Sequence, residues 1–232
     1  MPEQLSRTAL LLGDDALRRL ASSRVLVFGL GGVGGYVVEA LARTGVGTIG
    51  IVDNDVVSLS NINRQIYALH STVGRKKTEV AKERILDINP SCIVRTYDMF
   101  YLPETADKIE ISEYDYVVDC IDTIAAKIEL VLRCRAIGVP LISSMGTGNK
   151  LDPSKLKVAD ISKTSVCPLA RVMRQELRKR GVHHLKCIFS TEEPSNGVVK
   201  DGSRHAPGSI AFVPSVAGLT LAGEVIRDLT AV

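Results

Sequence analysis

Short apolar runs rich in β-branched residues alternate with longer amphipathic segments along the first two thirds of the chain. The apolar runs predict strands at 24–28, 48–52, 93–97, 116–119 and 140–143. The amphipathic segments predict helices at 14–22, about 33–44, 76–88 and about 125–137. Strands that alternate with helices of this length are joined by crossovers, so we expect an α/β fold with a doubly wound, mostly parallel sheet.

The pattern is less regular after about residue 151. It predicts a basic helix at 168–180, a strand at 186–190 and a final helix near 216–229, and a polar segment at 191–209 that we expect to be a mobile loop. No repeat, low-complexity tract or Pro/Gly/Ser-rich linker divides the chain. We therefore expect one domain over 1–232, in which a C-terminal extension (about 151–232) continues an N-terminal half (about 1–150).

The composition is that of an ordinary globular protein, since 45% of the residues are apolar and 24% are charged. A net charge of +3 gives no general attraction to polyanions, so any nucleic-acid contact needs a local basic cluster. Five scattered cysteines without a CxxC pair favour reduced thiols in the cytoplasm and argue against structural zinc. The N-terminus is no secretion signal, and Pro214 and Glu224 interrupt the most apolar stretch, so we expect a soluble protein without a membrane segment.

A glycine-rich turn, GLGGVGG at 29–35, joins the first predicted strand to the first crossover helix. Backbone N–H groups at such a turn can approach phosphate oxygens at the helix N-terminus, which predicts nucleotide contacts at Gly29, Gly31, Gly32 and Gly34. Asp53 ends the next strand, 19 residues after Gly34, where its carboxylate can bind ribose hydroxyls. These features predict a Rossmann-like nucleotide site and fit an NAD-dependent dehydrogenase equally well.

Two cations after that strand favour a triphosphate over a nicotinamide. Arg64 lies in DVVSLSNINRQ at 55–65, and Lys77 begins the next predicted helix. Hydride transfer creates no phosphate charge, whereas attack of a carboxylate on the α-phosphorus of ATP builds charge that fixed cations stabilise. The alternative is that both are solvated surface charges.

The motif DCID at 119–122 places two carboxylates at the end of a predicted parallel strand. Ligands of open α/β sheets bind at this edge, and Mg²⁺ bound to a triphosphate needs few protein carboxylates. We therefore predict Asp122 as the Mg²⁺ ligand. Asp119 could instead be the ligand, or could accept hydrogen bonds from loop N–H groups.

These motifs together resemble the ThiF/MoeB/HesA family of adenylating enzymes, within the ubiquitin-activating-enzyme-like superfamily, over nearly the whole chain. The resemblance implies that Asp53 binds the ribose of ATP and that Asp55, in the same motif, also belongs to the nucleotide site. It also implies that the phosphates are bound by Asn61, Arg64 and Lys77 and that Mg²⁺ is bound by Asp122. Arg7 resembles an N-terminal arginine that reaches the ATP of a partner subunit, which implies a homodimer with composite sites.

Further segments resemble one branch of this family, the tRNA threonylcarbamoyladenosine dehydratases (TcdA or CsdL). They are LARTGVG at 41–47, NRQIYAL at 63–69, CIFSTEEP at 187–194 and GSIAFVPSVAG at 208–218. The resemblance implies ATP-dependent cyclisation of threonylcarbamoyladenosine in tRNA, with release of AMP and pyrophosphate. It also implies a monovalent cation (Na⁺ or K⁺) and cysteine desulfurase or sulfur-acceptor partners. The alternative is adenylation of the C-terminal glycine of a ubiquitin-like sulfur-carrier protein.

A tRNA substrate would need a basic surface, and residues 171–186 hold six Lys or Arg and one Glu. Phosphate contacts from such a cluster give affinity without base specificity. The predicted RNA contacts are Arg171, Arg174, Arg178, Lys179, Arg180 and Lys186. The alternative is an ordinary solvated helix face. For the neighbouring Cys187 we expect a buried strand position rather than a thiol near the site.

Overall fold

The computed structural model describes residues 2–195 and 207–231. Its strands are β1 (Arg24–Phe28), β2 (Thr48–Val52), β3 (Ile93–Tyr97), β4 (Tyr116–Asp119), β5 (Leu141–Ser144), β6 (Leu156–Asp160) and β7 (Lys186–Ser190). They form one sheet in the order β3-β2-β1-β4-β5-β7-β6, in which every neighbouring pair is parallel except β6 and β7. The predicted doubly wound, mostly parallel sheet is confirmed.

The helices are α1 (Ser6–Ser22), α2 (Gly34–Arg43), α3 (Lys77–Ile88), α4 (Ile124–Ile137), α5 (Pro168–Lys179) and α6 (Phe212–Thr230). Gly13, at φ 79°, interrupts α1, and the prediction covered only the part after it. Gly138 ends α4 in the left-handed conformation, at φ 75°. Helix α6 begins earlier than predicted because Pro214 lies in its first turn, where a missing N–H costs no helical hydrogen bond.

The C-terminal part of the chain differs from the prediction in one element. Strand β6 was not predicted, because it is a half-exposed edge strand without a clear apolar alternation. It pairs antiparallel with β7 and extends the same sheet. Residues 196–206, which make up most of the predicted loop at 191–209, lie outside the described residues.

The packing of α6 against α2 brings the end of the chain to the glycine turn. A Cβ on Gly218 would lie 2.3 Å from the carbonyl oxygen of Val33, so only glycine permits this helix crossing. As a result the Pro214 ring, in the first turn of α6, lies beside Gly32. Over the residues that can be described, no helix has both the length and the apolarity needed to cross a bilayer.

Candidate active site

A cavity of about 630 Å³ opens at the edge of the sheet where the parallel strands end. Parallel strands present their carboxyl ends at one edge, so loops that are distant in sequence meet there. Most of the predicted nucleotide-site residues line it: Gly29, Gly31, Gly32, Asp53, Asp55, Asn61, Arg64, Lys77 and Asp122. Gly34 and Arg7 do not belong to this lining.

The glycines of the turn have different tasks. Gly29 adopts φ 86°, and a Cβ there would lie 2.7 Å from the carbonyl oxygen of Cys120. A Cβ on Gly34 would lie 1.8 Å from the carbonyl oxygen of Gly29, so Gly34 lets α2 start against the turn. Gly34 does not line the cavity, and a contact of its backbone with the nucleotide stays a prediction. A Cβ on Gly31 would meet no atom within 4 Å, so this glycine leaves room for a ligand to approach the backbone.

Asp53, Asp55 and Lys77 form a connected group on the cavity wall. The Asp53 carboxylate accepts hydrogen bonds from Leu30 N (2.6 Å) and Asp55 N (2.8 Å). Burial raises the pKa of Asp53, and the charge of Lys77, 3.9 Å away, opposes the rise. The Lys77 ammonium lies 2.7 Å from Asp55 Oδ2, and only 4% of this residue is exposed. Lys77 is therefore a cation held in place rather than a solvated surface charge.

The segment 58–65 is held by its own hydrogen bonds. Ser58 N donates to Asn61 Oδ1 at 3.1 Å, so an amide N–H is the group that Asn61 can offer to a phosphate. Arg64 Nη1 donates to Ser60 O (2.9 Å) and Asn63 Oδ1 (2.8 Å), and a Cβ on Gly32 would lie 3.4 Å from Arg64 Cγ. The aliphatic part of the Arg64 side chain therefore lies beside the glycine turn, and the guanidinium is held by the 60–63 segment.

The two carboxylates of DCID have separate surroundings. Asp119 is fully buried and its oxygens contact Lys127 Nζ (2.9 Å), Ser143 Oγ (2.6 Å) and Ile121 N (3.1 Å). Asp122 is exposed on the cavity wall, with Thr123 Oγ1 at 3.4 Å from its carboxylate. Asp122 is therefore the carboxylate with coordination positions to offer, and it fits a Mg²⁺ ion that takes its other ligands from phosphates and water. Within the described residues no group of three or more His, Cys, Asp or Glu could hold a metal by itself.

Sequence reasoning missed parts of the cavity wall. Gln65 is 7% exposed, and its side-chain oxygen has no hydrogen-bond partner within the described chain, so a ligand donor would satisfy it. The signal for Gln65 was its place directly after Arg64 in the quoted motif. An apolar wall of Met99, Phe100 and Tyr101 follows β3, and the composition of that loop gave no signal for it. The opposite wall comes from Ser144, Met145, Gly146, Thr147, Gly148, Leu169, Pro207 and Ser209.

The predicted RNA contacts divide into two groups. Arg174 Nη1 donates to the carbonyl oxygen of Thr164 at 3.0 Å. Lys186 Nζ lies 2.8 Å from carboxylates of both Glu224 and Asp228. Both side chains are therefore occupied within the fold. Arg171, Arg178, Lys179 and Arg180 are exposed, and of these Lys179 and Arg180 pair with Glu176 of α5. Whether any of them contacts RNA stays a prediction.

Two further predicted residues lie away from the cavity wall. Cys187 is fully buried on β7, as expected, and burial raises the pKa of its thiol to about 12. Such a thiol remains protonated near neutral pH, which fits a packing position. Arg7 is exposed in the first turn of α1, and its reach to a partner subunit stays a prediction.

Comparison with known proteins places these features in context. A model of the ThiF family matches residues 5–232. The tRNA threonylcarbamoyladenosine dehydratase of Bacillus subtilis (strain 168) is 46% identical over 244 residues, which cover 99% of this chain and 95% of that protein. The enzyme of the same name from Escherichia coli (strain K12) is 40% identical over 198 residues, covering 82% and 74%. The crystal structure of E. coli tRNA N6-threonylcarbamoyladenosine dehydratase in complex with ATP matches with a TM-score of 0.91 and 35% identity, covering 99% and 94%.

Proposed function

The chain belongs to the ThiF family, and we propose that it uses ATP to cyclise N6-threonylcarbamoyladenosine in tRNA, next to the anticodon. One observation carries the proposal: the residues expected to bind ATP line part of a cavity whose opposite wall is left for a second substrate. The similarity to tRNA threonylcarbamoyladenosine dehydratases over almost the full length of both chains supports the identity of that substrate.

The chemistry requires a carboxylate to be activated before the ring can close. Adenylation of the threonyl carboxylate releases pyrophosphate and replaces a poor leaving group with AMP. Ring closure by the carbamoyl group then releases AMP. Neither step needs a covalent protein nucleophile, and this agrees with the buried, protonated state of Cys187. The protein contributes chiefly by positioning the substrates and stabilising charge.

The polar residues have distinct roles in this proposal. Asp53 binds the ribose, and the apolar wall at 99–101 packs against the adenine. Gly31, Asn61 and Arg64 bind phosphate oxygens, and Lys77 stabilises the charge that builds at the α-phosphoryl group. Asp55 orients Lys77 through the 2.7 Å ion pair. A Mg²⁺ ion at Asp122 would neutralise charge on the triphosphate and the leaving pyrophosphate.

The second substrate enters on the side of residues 144–148 and Leu169. Leu169 lies in the first turn of α5, so the basic face of α5 begins next to the cavity. Exposed Arg171 and Arg178 then offer phosphate contacts to the tRNA outside the modified nucleotide.

We extend the proposal to the assembly and its surroundings. The protein acts in the cytoplasm as a homodimer, in which Arg7 of one subunit reaches the ATP of the other. A Na⁺ or K⁺ ion and cysteine desulfurase or sulfur-acceptor partners belong to the same proposal. If the sites are shared, mixing Arg7→Ala and Asp122→Ala subunits restores part of the activity that each variant lacks. No recovery in mixed dimers, with exchange of subunits verified, rejects the shared site.

One experiment tests the proposed function. ATP–pyrophosphate exchange is measured with tRNA that carries threonylcarbamoyladenosine, with the same tRNA lacking the modification, and with a carrier protein ending in Gly-Gly. We expect exchange only with the modified tRNA, together with loss of one water mass from the nucleoside. Exchange that needs the carrier protein and ignores tRNA would support carrier activation, and exchange with unmodified tRNA would contradict the proposed substrate.

A further inference from the structure

Lys127 is a buried cation that the proposed mechanism has not used. It lies in the first turn of α4, five residues after Asp122, and none of its surface is exposed. Its ammonium contacts three oxygens: Asp119 Oδ2 at 2.9 Å, Ile121 O at 3.0 Å and Ser144 O at 2.9 Å. An ammonium has three N–H donors, so each donor has an acceptor.

The three acceptors belong to different parts of the candidate site. Asp119 ends β4, Ser144 ends β5, and Ile121 precedes Asp122 in the loop that lines the cavity. The carbonyl oxygen of Ser144 also marks the start of the opposite wall, 144–148. One side chain therefore joins the loop that carries the expected metal ligand to the wall that faces the second substrate.

The environment of Lys127 makes this junction rigid. A buried charge is tolerated only where partners compensate for lost water, so the ammonium cannot leave its acceptors without a large penalty. Ser143 Oγ and Ile121 N also contact the Asp119 carboxylate, which fixes the anion in turn. The backbone between Asp119 and Asp122 is thus fixed at Ile121, whose N–H donates to Asp119 Oδ1 and whose carbonyl oxygen accepts from Lys127 Nζ.

We propose that Lys127 is a positioning residue that fixes the Asp122 carboxylate for the metal bound to ATP. This inference rests on the proposed function, because it takes Asp122 as the Mg²⁺ ligand. Residues that orient a metal ligand without touching the metal commonly change metal affinity by about 10- to 100-fold when they are replaced. Lys127 is fully buried and does not belong to the cavity lining, so in this proposal it acts through Asp122 rather than by touching the nucleotide.

The test separates positioning from stability by removing both buried charges together. Lys127→Met alone strands the Asp119 charge and threatens folding, so the main variant is Asp119→Asn/Lys127→Met, which stays neutral. The control is Glu39→Gln/Arg84→Met, which removes a paired carboxylate and guanidinium that join α2 to α3 away from the cavity lining. Equilibrium binding of a fluorescent ATP analogue to the full chain is measured in Mg²⁺ and in EDTA, and melting temperatures are recorded.

In EDTA, we expect the affinity of the main variant for the analogue to lie within about twofold of that of the parent protein. The increase in affinity on adding Mg²⁺ should be about tenfold smaller in the main variant than in the parent protein. Asp122→Ala should reduce the Mg²⁺-dependent increase in affinity in the same way. The control variant should keep this increase, at a melting temperature comparable to that of the main variant. A main variant that keeps the full Mg²⁺ gain overturns the inference about Lys127 alone. An equal loss of affinity in Mg²⁺ and in EDTA also overturns the inference, because such a loss indicates general damage to the nucleotide site. No Mg²⁺ gain in the parent protein rejects the metal role of Asp122 as well, whereas the tRNA requirement is tested separately by pyrophosphate exchange.

Discussion

Replacement of Lys77 by Met is the sharpest test of the proposed phosphate site. Methionine keeps most of the length of the side chain in a position that is only 4% exposed, and it removes the charge. Two contacts are lost, to Asp55 Oδ2 at 2.7 Å and to Asp53 Oδ1 at 3.9 Å. The perturbation is therefore electrostatic, with little change in packing.

The expected cost is larger for catalysis than for folding. The Asp55 side chain is 59% exposed, so solvent screens that ion pair and its loss costs about 1 kcal/mol or less. A cation about 4 Å from a developing phosphate charge contributes about 4 kcal/mol at an effective dielectric constant of about 20. Loss of one such charge-stabilising donor lowers the rate about 10²- to 10³-fold. We expect a decrease of this size in the adenylation rate, with a melting temperature that falls by only a few degrees.

The assay is ATP–pyrophosphate exchange with modified tRNA at pH 8. An alkaline pH is chosen to favour the ionised form of Asp53. Burial raises the pKa of this carboxyl, and removal of Lys77 takes away a charge that opposes the rise. Lys76→Met is the matched control: the adjacent lysine pairs with Asp98 on the surface and is about half exposed. Exchange by Lys77→Met within about threefold of the Lys76→Met rate would refute the argument, since a cation at the reacting phosphate cannot be that dispensable.

Three other predictions address the glycine turn, the helix layer and the RNA surface. Gly31→Ala should bind ATP at least about tenfold more weakly by calorimetry at an unchanged melting temperature, because its Cβ meets only cavity space; unchanged affinity contradicts the phosphate approach. Burial raises the pKa of Glu39, but the hydrogen bonds and charges of two arginines together lower it by more than burial raises it, so the net shift is downward. Glu39→Gln should therefore cost about 1.5–3 kcal/mol of stability at pH 7. The deficit begins to shrink as the pH falls below about 4.3, the ordinary pKa of a Glu, and disappears only below the lowered pKa of the folded protein, where the parent carboxylate is protonated in both states; urea unfolding across this pH range checks it. Arg171→Ala/Arg178→Ala should weaken the binding of modified and unmodified tRNA equally. It should also reduce the slope of log affinity against log salt concentration by about two; an unchanged slope indicates that the RNA binds elsewhere.

The sheet and the nucleotide motifs were predictable because each has a local signature. Strands β1, β2 and β4 are mostly apolar runs, as expected for parallel strands buried on both faces, and their boundaries follow closely from the sequence. Strand β3 is a partly exposed edge strand that its β-branched residues still predicted. Arg64 and Lys77 could be assigned to one site because parallel strands deliver their following loops to a single edge. Strand β6 lacks such a run, since an edge strand buries only part of its surface.

Other features depend on contacts that no local pattern encodes. The opposite tasks of Gly31 and Gly34 become clear only when the position of a Cβ is compared with its neighbours. Likewise, DCID presents two carboxylates that look equivalent in the sequence, and only the structure shows that Asp119 is paired with a fully buried lysine while Asp122 is exposed. The sequence left Asp119 and Asp122 as alternatives because the ion pair with Lys127 spans the junction of β4 and α4.

The C-terminal extension explains how one family fold can acquire a specific second substrate. The residues proposed for the nucleotide wall come from the segments around β1 to β4: Asp53 follows β2, Lys77 begins α3 and Asp122 lies between β4 and α4. The opposite wall instead comes from 144–148, the start of α5 and the residues just before α6, so its shape depends on where β7 and α6 hold those segments. Close packing of Gly218 against Val33 holds the start of α6 beside the glycine turn, so the segment just before α6 is positioned relative to that turn. The proposed function therefore predicts that a change of the second substrate requires changes after about residue 144, because the residues proposed for adenylation lie before it.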